Sequence, residues 1–326
     1  MDRPAAPARR GTALTTWTVA AAIAGAAMAA ALLLHSGLGT VATLVAHAGW
    51  GVLAIMALHG VQLWLTAMAW RALIPRPAPP RAYLALLRMI REGINTLLPV
   101  AQIGGLVVAA RLLWRGGVAP AQAVAATIVD VHVEMLTQVV FTLLGLAFLV
   151  DALGALPLAV PLLSGVALLG AMVAALTAAQ RAGFARLAAR AGERFGWARD
   201  IAGLREAIAA VHARPAALAT SAACHLLAWG LGAVEVCVAL HFLGRDIGLG
   251  EGLAIESLGQ TIRLAGFAVP AALGVQEGGY VVLCGLFGIG PDIALALSLL
   301  KRLRELALGA PSLALWLRLE RRPVAV

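Results

Sequence analysis

Charged residues are scarce in this chain, and their scarcity excludes several classes of protein. They make up 13% of the 326 residues, whereas apolar residues make up 61%. A soluble domain carries about 25% charged residues, so a water-soluble enzyme and a disordered scaffold are poor interpretations. The formal net charge is +9, but the basic residues are scattered among long apolar runs, and no nucleic-acid-binding face is predicted.

Cysteine is also rare. The three cysteines, Cys224, Cys237 and Cys284, lie in apolar stretches and show no CxxC spacing. This pattern argues against both a disulfide framework and a zinc site. The sequence predicts no metal and no other cofactor.

Long apolar runs, in contrast, are abundant. About 20 mostly apolar residues are enough for a helix to cross a bilayer. Six runs reach this length: 14–34, 41–69, 119–150, 157–179, 215–243 and 291–317. The first run is longer than the apolar part of a signal peptide, so we expect a retained anchor, with a cleaved signal peptide as the alternative.

Two further apolar regions, 82–113 and 250–288, are interrupted near their middle. The interrupting residues are Pro99, Gly104 and Gly105 in the first region and Pro270, Gly274, Gly278 and Gly279 in the second. Such breaks favour helices that enter the membrane and turn back. The predicted fold is an all-α integral membrane protein with about six full transmembrane helices and two re-entrant hairpins, or eight helices if the hairpins span.

The distribution of arginine predicts the topology, because basic residues mark the cytoplasmic side of a membrane protein. Eighteen of the 25 basic residues fall on one side, and Arg245 alone falls in the remaining loops, if both broken regions return to the side they entered from. We therefore expect a single polytopic domain in the bacterial inner membrane, with both termini in the cytoplasm.

Segment 181–213 alternates arginine with apolar residues at helical spacing. This pattern predicts a cytoplasmic amphipathic helix or helix pair lying on anionic lipid. A role in binding partner proteins is the alternative.

The two broken regions resemble each other. A proline, a glutamine and a glycine pair follow one another in both, and an arginine precedes each proline by seven or eight residues. The half-repeats 41–150 and 215–317 would then run in opposite directions, as in transporters whose site lies at the bilayer midplane. Chance recurrence in a chain rich in glycine and alanine is the alternative.

Polar residues inside the apolar regions are candidates for a site, because charges within a membrane are costly unless they face a cavity or each other. The candidate substrate-binding residues are Arg88, Arg91, Glu92, Asn95, Gln102, Arg263, Gln276 and Glu277. Asp130 and Glu134 lie on one stripe of the third span, and they are candidates for coupling to a proton or a sodium ion.

The alternative is that these charges form structural ion pairs. A spacing of four residues predicts pairs within one helix, Arg88 with Glu92 and Lys301 with Glu305. The histidines are isolated from one another in the sequence and are interpreted as packing or interfacial residues: His47, His59, His225 and His241.

Two strings carry a resemblance to a known family. REGINTLLP at 91–99, followed by a glycine pair, and GVQEGG at 274–279, followed by LFG at 286–288, resemble signatures of the membrane-domain family of lysylphosphatidylglycerol synthases. Within it, the chain is most similar to the hopanoid-biosynthesis-associated group. Many relatives carry an acidic residue directly after the first glycine pair, where this chain has Leu106, whereas Glu277 keeps its counterpart beside the second pair.

The resemblance implies a lipid flippase or transporter that moves a hopanoid, a phospholipid or a polyprenyl-type envelope lipid between leaflets. The expected partners are membrane lipids and proteins of hopanoid or envelope-lipid biosynthesis, and a homo-oligomer is a further option. The second hypothesis is an intramembrane lipid-modifying enzyme, but no HExxH motif and no activated serine or cysteine constellation is present. We therefore expect no enzymatic activity. The third hypothesis is a non-catalytic scaffold.

Overall fold

The computed structural model describes residues 38–97, 104–153, 167, 170, 203–265, 269 and 272–321. The described segments are helical and contain no strand. Their ten helices are α1 (Leu38–His47), α2 (Gly51–Leu73), α3 (Arg81–Leu97), α4 (Gly104–Arg115), α5 (Pro120–Leu153), α6 (Leu204–His212), α7 (Pro215–Phe242), α8 (Leu249–Ala265), α9 (Val275–Leu286) and α10 (Pro291–Arg321). An all-α membrane protein is thereby confirmed. The predicted span 14–34, most of the predicted span 157–179, most of segment 181–213, and Pro99, Gln102 and Pro270 lie outside the described residues.

Three of the described helices are long and apolar enough to cross a membrane. They are α2, α5 over Pro120–Ala152, and α7. Helix α10 covers the predicted run 291–317 but carries four charged residues near its middle, and it does not meet the same criterion. The predicted run 41–69 is divided between α1 and α2 by a turn in which Gly49 has a positive φ of 45°, a conformation that glycine adopts without steric penalty.

Each broken region forms two helices that pack against one another, α3 with α4 and α8 with α9. At the second break, Gly274 has a φ of 75°, and its backbone N–H donates to the Glu277 carboxylate over 2.7 Å. A side chain in the first turn thus satisfies one of the amides that a helix start leaves unpaired. The local sequence explains why α9 begins where it does.

The helices α1–α5 and α6–α10 have matching neighbours. Helix α2 packs against α7, α3 packs against α10, and α8 packs against α5. The contact of α4 with α5 is matched by that of α9 with α10, and the contact of α2 with α3 by that of α7 with α8. The contact of α10 with α1 is matched by that of α5 with α6. In these contacts, each helix of α1–α5 therefore has the same packing partners, by position in its set, as its counterpart in α6–α10.

Small residues stand where helices of the two sets cross. A Cβ on Gly93 would collide with Ser312 and come within about 3 Å of Gly309, at the crossing of α3 and α10. A Cβ on Gly145 would collide with Ser257, at the crossing of α5 and α8. Small residues let helix backbones approach closely within a membrane, so these crossings bring the charged stripes of α3 and α8 near those of other helices.

Candidate functional site

Two arginines of α3 and two carboxylates of α5 form a buried cluster. Arg88 donates to Asp130 over 2.8 Å and to Glu134 over 2.6 Å. Arg91 donates to the same two carboxylates over 3.0 Å and 2.6 Å. The Asp130 side chain is fully buried. We call these four residues the first cluster; its two formal positive charges balance its two negative charges.

Helix α7 packs beside the first cluster and contacts Asp130. The Nε2 atom of His225 lies 3.1 Å from Oδ1 of Asp130, and the indole N–H of Trp229 donates to Thr137 over 3.2 Å. His225, interpreted from the sequence as a packing or interfacial residue, is buried, and it also contacts a carboxylate that the sequence did not indicate. Its position one turn before Trp229 was the only hint that this face of α7 meets α5.

A second cluster joins α8 to α10. Glu256 accepts a hydrogen bond from Lys301, and Glu305 accepts one from Arg263. All four residues are at least three-quarters buried, and Arg263 is the most accessible, with 21% of its side chain exposed. These four residues, the second cluster, are also formally neutral.

A chain of polar contacts through α2 and α7 connects the two halves. His59 of α2 lies 2.8 Å from the Glu92 carboxylate of α3 and 3.9 Å from Glu235 of α7. Glu235 accepts hydrogen bonds from Gln62 over 2.8 Å and from Arg304 of α10. His59, interpreted as a packing or interfacial residue, is likewise buried, and its contact with a carboxylate of another helix could not be predicted from a histidine that is isolated in the sequence.

Arg304 connects this chain to the second cluster. Its second guanidinium nitrogen lies 3.7 Å from Glu305. The polar contacts therefore extend from α3 through α2, α7 and α10 to α8. Among the described residues, the polar contacts of this network lie between α2, α5 and α7, which are long enough to span a membrane, and the helices packed against them.

The second break is fastened to α10. Glu277, which also caps α9, accepts a hydrogen bond from Arg302 over 2.5 Å and one from Ser298 over 3.3 Å. The neighbouring Gln276 donates to Ser298 over 3.1 Å. Gln276 and Glu277, which the sequence predicts as substrate-binding residues, hold the start of α9 in position.

The first break is held by Asn95 and by a glycine. The Asn95 side-chain oxygen accepts the backbone N–H of Gly105 over 2.9 Å. A Cβ on Gly105 would collide with the Arg91 carbonyl and with Asn95, and a Cβ on Gly279 would lie 2.9 Å from Ile262. In both broken regions the second glycine of the pair lets the two helices come into contact.

Neither predicted ion pair within a helix is formed. Arg88 bonds to two carboxylates of α5, and Glu92 bonds to His59. Lys301 bonds to Glu256, whereas Glu305 bonds to Arg263. The prediction was wrong because each side chain finds a partner on a neighbouring helix, and a buried charge needs the full set of partners that only several helices together supply.

Glu92 is the most accessible carboxylate of the network. Its side chain is 38% exposed, and it lines a small pocket between α2, α3 and α10 together with His59, Thr96 and Glu305. Arg91 is 12% exposed and Glu134 21% exposed. The predicted site residues that the structure describes therefore lie in neighbouring polar groups, each with a few accessible atoms. Glu92 and Arg263 belong to the chain of contacts through α2 and α7, Arg88 and Arg91 belong to the first cluster, and Gln276 and Glu277 lie at the start of α9.

A comparison with protein families shows the family to which the chain belongs. Residues 17–311 match the family described as the lysylphosphatidylglycerol synthase transmembrane region. The chain belongs to this family. Membership of the lysylphosphatidylglycerol synthase membrane-region family indicates a membrane protein in lipid-related processes. No curated protein and no solved structure gives a significant match.

Proposed function

We propose that this member of the family is a lipid flippase or transporter, which moves a polar or anionic lipid between the leaflets of a membrane. The observation that carries the proposal is the buried polar network. It takes charged side chains from both broken regions and connects them through α2 and α7 inside a membrane protein.

The number of buried charges favours a role in binding or transport over a purely structural role. Apolar side chains of similar volume are often as stabilising as a buried ion pair, or more so. Ionisable residues within membranes typically mark the paths of substrates or ions. A polar path beside apolar helix faces would let a headgroup cross while its acyl chains stay in the bilayer.

The matching neighbours of α1–α5 and α6–α10 support an inverted repeat. Transporters built from such repeats bind their substrate near the midplane, where broken helices of the two repeats meet. We propose that the breaks after α3 and after α8 are these elements, and that both are re-entrant.

The proposed headgroup ligands are Arg91 and Arg263. Arg91 is hydrogen-bonded to Glu134, and Arg263 to Glu305. A phosphate or carboxylate that binds either arginine would therefore displace its glutamate partner. The exchange keeps each guanidinium paired throughout, which avoids the cost of a lone buried charge. Asp130 and Glu134 would then keep Arg88 but lose their second arginine, and we propose that a proton or a sodium ion replaces it.

The proposal extends to the cellular setting. The excess of arginine on one side supports an inner-membrane protein with both termini in the cytoplasm. The motif resemblance to the hopanoid-associated group makes hopanoids, phospholipids and polyprenyl-type lipids the first substrates to test. Chemical conversion of the lipid forms no part of the proposal.

The test is leaflet exchange in reconstituted vesicles, measured by quenching of fluorescent lipids in the outer leaflet. We expect Arg91→Gln/Arg263→Gln to lower the exchange rate at least tenfold. The matched control is Arg205→Gln/Arg245→Gln, which removes the same charge from two exposed positions. Equal rates in the wild type and in the first variant would refute the proposed headgroup ligands.

A second variant separates function from folding. Arg91→Lys/Arg263→Lys keeps both charges but removes the planar fork that binds phosphate in a bidentate manner. We expect it to remain folded by size-exclusion chromatography and to exchange lipid several-fold more slowly. Full activity in this variant would show that point charge alone is enough.

A further inference from the structure

A second polar feature lies apart from the ion-pair network. At the end of the molecule where α2 ends and α3 and α7 begin, a pocket of about 760 Å³ opens to the surface. This volume is within the range of ligand-binding pockets. Four arginines line it: Arg71, Arg76, Arg81 and Arg214. None of its described lining residues is acidic.

Arg214 is fixed in place by the backbone. Its two terminal guanidinium nitrogens donate to the carbonyl oxygens of Leu73 over 3.2 Å and of Ala72 over 2.9 Å. These carbonyls belong to the last turn of α2, where no intrahelical donor is available. The residue that follows, Pro215, is the first of α7. One positive charge therefore stands permanently between the ends of two helices of membrane-spanning length.

The other three arginines have no carboxylate partner among the described residues. The Nε atom of Arg71 is buried and has no hydrogen-bond acceptor. Arg76 and Arg81 are exposed. This is the reverse of the ion-pair network, in which the guanidinium groups are matched by carboxylates. Like charges gathered without a carboxylate repel one another, and an anion in the pocket would offset that repulsion.

The wall of the pocket has an apolar part. Trp64 and Met68 of α2 line it, and 42% of Trp64 is exposed. Tryptophan favours the interface between a membrane and water, and the pocket lies at the ends of two helices long enough to span. Its arginines are therefore at headgroup level, with an apolar helix face leading toward the hydrocarbon.

We propose that this pocket binds the phosphate group of an anionic membrane lipid, with the acyl chains along Trp64 and Met68. Arginine suits phosphate because its planar fork donates two parallel hydrogen bonds. Arg71 lies twelve residues from His59, about 18 Å along α2 at 1.5 Å per residue, so the pocket is a separate site from the network. The inference goes beyond the proposed function, since lipid can bind here whether or not the protein transports it.

Binding to the purified, detergent-solubilised full chain tests the inference by native mass spectrometry. The probes are phosphatidylglycerol, phosphatidylcholine and inorganic phosphate. We expect phosphatidylglycerol to bind at least tenfold more tightly than phosphatidylcholine, and Arg76→Gln/Arg81→Gln to remove that preference. Arg205→Gln/Arg318→Gln, which removes two charges from exposed positions outside the pocket, is expected to keep it.

A charge-preserving variant guards against misfolding. Arg76→Lys/Arg81→Lys is expected to retain a clear preference for phosphatidylglycerol. Unchanged binding in Arg76→Gln/Arg81→Gln would overturn the site. Inorganic phosphate that binds as tightly as the lipid, and is lost in the same variant, would make a soluble anion the occupant and overturn the assignment to a lipid.

Lipid binding in Arg76→Gln/Arg81→Gln and leaflet exchange in Arg91→Gln/Arg263→Gln, measured side by side, separate this inference from the proposed function. Failure of the inference appears as lipid binding that does not depend on Arg76 and Arg81. Failure of the proposed function appears as exchange that does not depend on Arg91 and Arg263. Each result can occur without the other.

Discussion

The first and second clusters occupy corresponding positions in the two sets of helices, but they differ in sign. Arg88 and Glu256 each lie seven residues after the first residue of their helix, α3 or α8. Asp130 and Lys301 each lie ten residues after the first residue of α5 or α10. Arg88 pairs with Asp130, and Glu256 pairs with Lys301. In the first half the broken region supplies the cation of this ion pair, and in the second half it supplies the anion.

A neighbouring pair keeps its sign. Glu134 and Glu305 each lie fourteen residues after the start of their helix, and each accepts from an arginine of the broken region, Arg91 or Arg263. The comparison teaches that neutrality is enough at one position, as packing alone would require. At the other, the glutamate keeps its place and its charge, and its partner is an arginine in both halves, ten residues after the start of α3 and fourteen after the start of α8. A conserved sign at this pair is what recognition of a headgroup would require.

The largest expected effect comes from breaking the sign-reversed pair of the second cluster. Lys301→Met leaves Glu256 buried without its cation, which costs about 3–5 kcal/mol of stability. Thermal unfolding in detergent, followed with a thiol-reactive dye that reports exposure of the buried Cys284, measures the loss. Glu256→Gln/Lys301→Met is the control and should recover most of it. A single variant as stable as the wild type would contradict the importance of the pair.

The glycine pairs provide the next effect. Gly105→Ala should destabilise the protein by about 2–3 kcal/mol and Gly279→Ala by about 1 kcal/mol, within the usual range for overpacking. The larger cost is expected where the new methyl group meets a backbone carbonyl, and the smaller where it meets the flexible side chain of Ile262. Unfolding midpoints in denaturant measure both.

Gly278→Ala is the matched control, because a Cβ there meets nothing within 4 Å. Alanine is a better helix former than glycine by up to about 1 kcal/mol, so this variant should be neutral or slightly more stable. A loss of stability equal to that of Gly279→Ala would show that the helix contact is not the cause.

Exchanging the charges of each pair sharpens the comparison directly. Arg263→Glu/Glu305→Arg and Glu256→Lys/Lys301→Glu both preserve neutrality. We expect the first to lower leaflet exchange about tenfold, which is about 1.4 kcal/mol in activation free energy, and the second to leave it nearly unchanged. Vesicle assays at equal protein content measure both rates, and equal effects would remove the distinction between the two pairs.

The smallest effect is expected at a crossing of the two sets. Thr142 of α5 and Thr261 of α8 share a hydrogen bond of 2.9 Å. Thr142→Val/Thr261→Val should cost about 0.6 kcal/mol, the average for such bonds between membrane helices. Unfolding in detergent checks the value, and a loss of several kcal/mol would indicate that the two hydroxyls do more than join the helices.

Much of the fold could be predicted because its signals are local. The apolar runs 119–150 and 215–243 predicted α5 and α7 to within a few residues of their observed ends. Glycine near the middle of the broken regions predicted their division into two helices, since glycine adopts backbone conformations that other residues avoid. The confirmed family also followed from two short strings, one in each broken region.

The sequence by itself determined that the chain is helical, approximately where α5 and α7 begin and end, and which polar side chains share a stripe. Those properties depend on neighbours three or four residues away, which the chain order supplies. Only the tertiary structure decided that Arg88 meets Asp130 and not Glu92, that His59 and His225 meet carboxylates, and that four arginines gather around one pocket. Such contacts depend on which helix faces which, and residues far apart in the sequence settle that together.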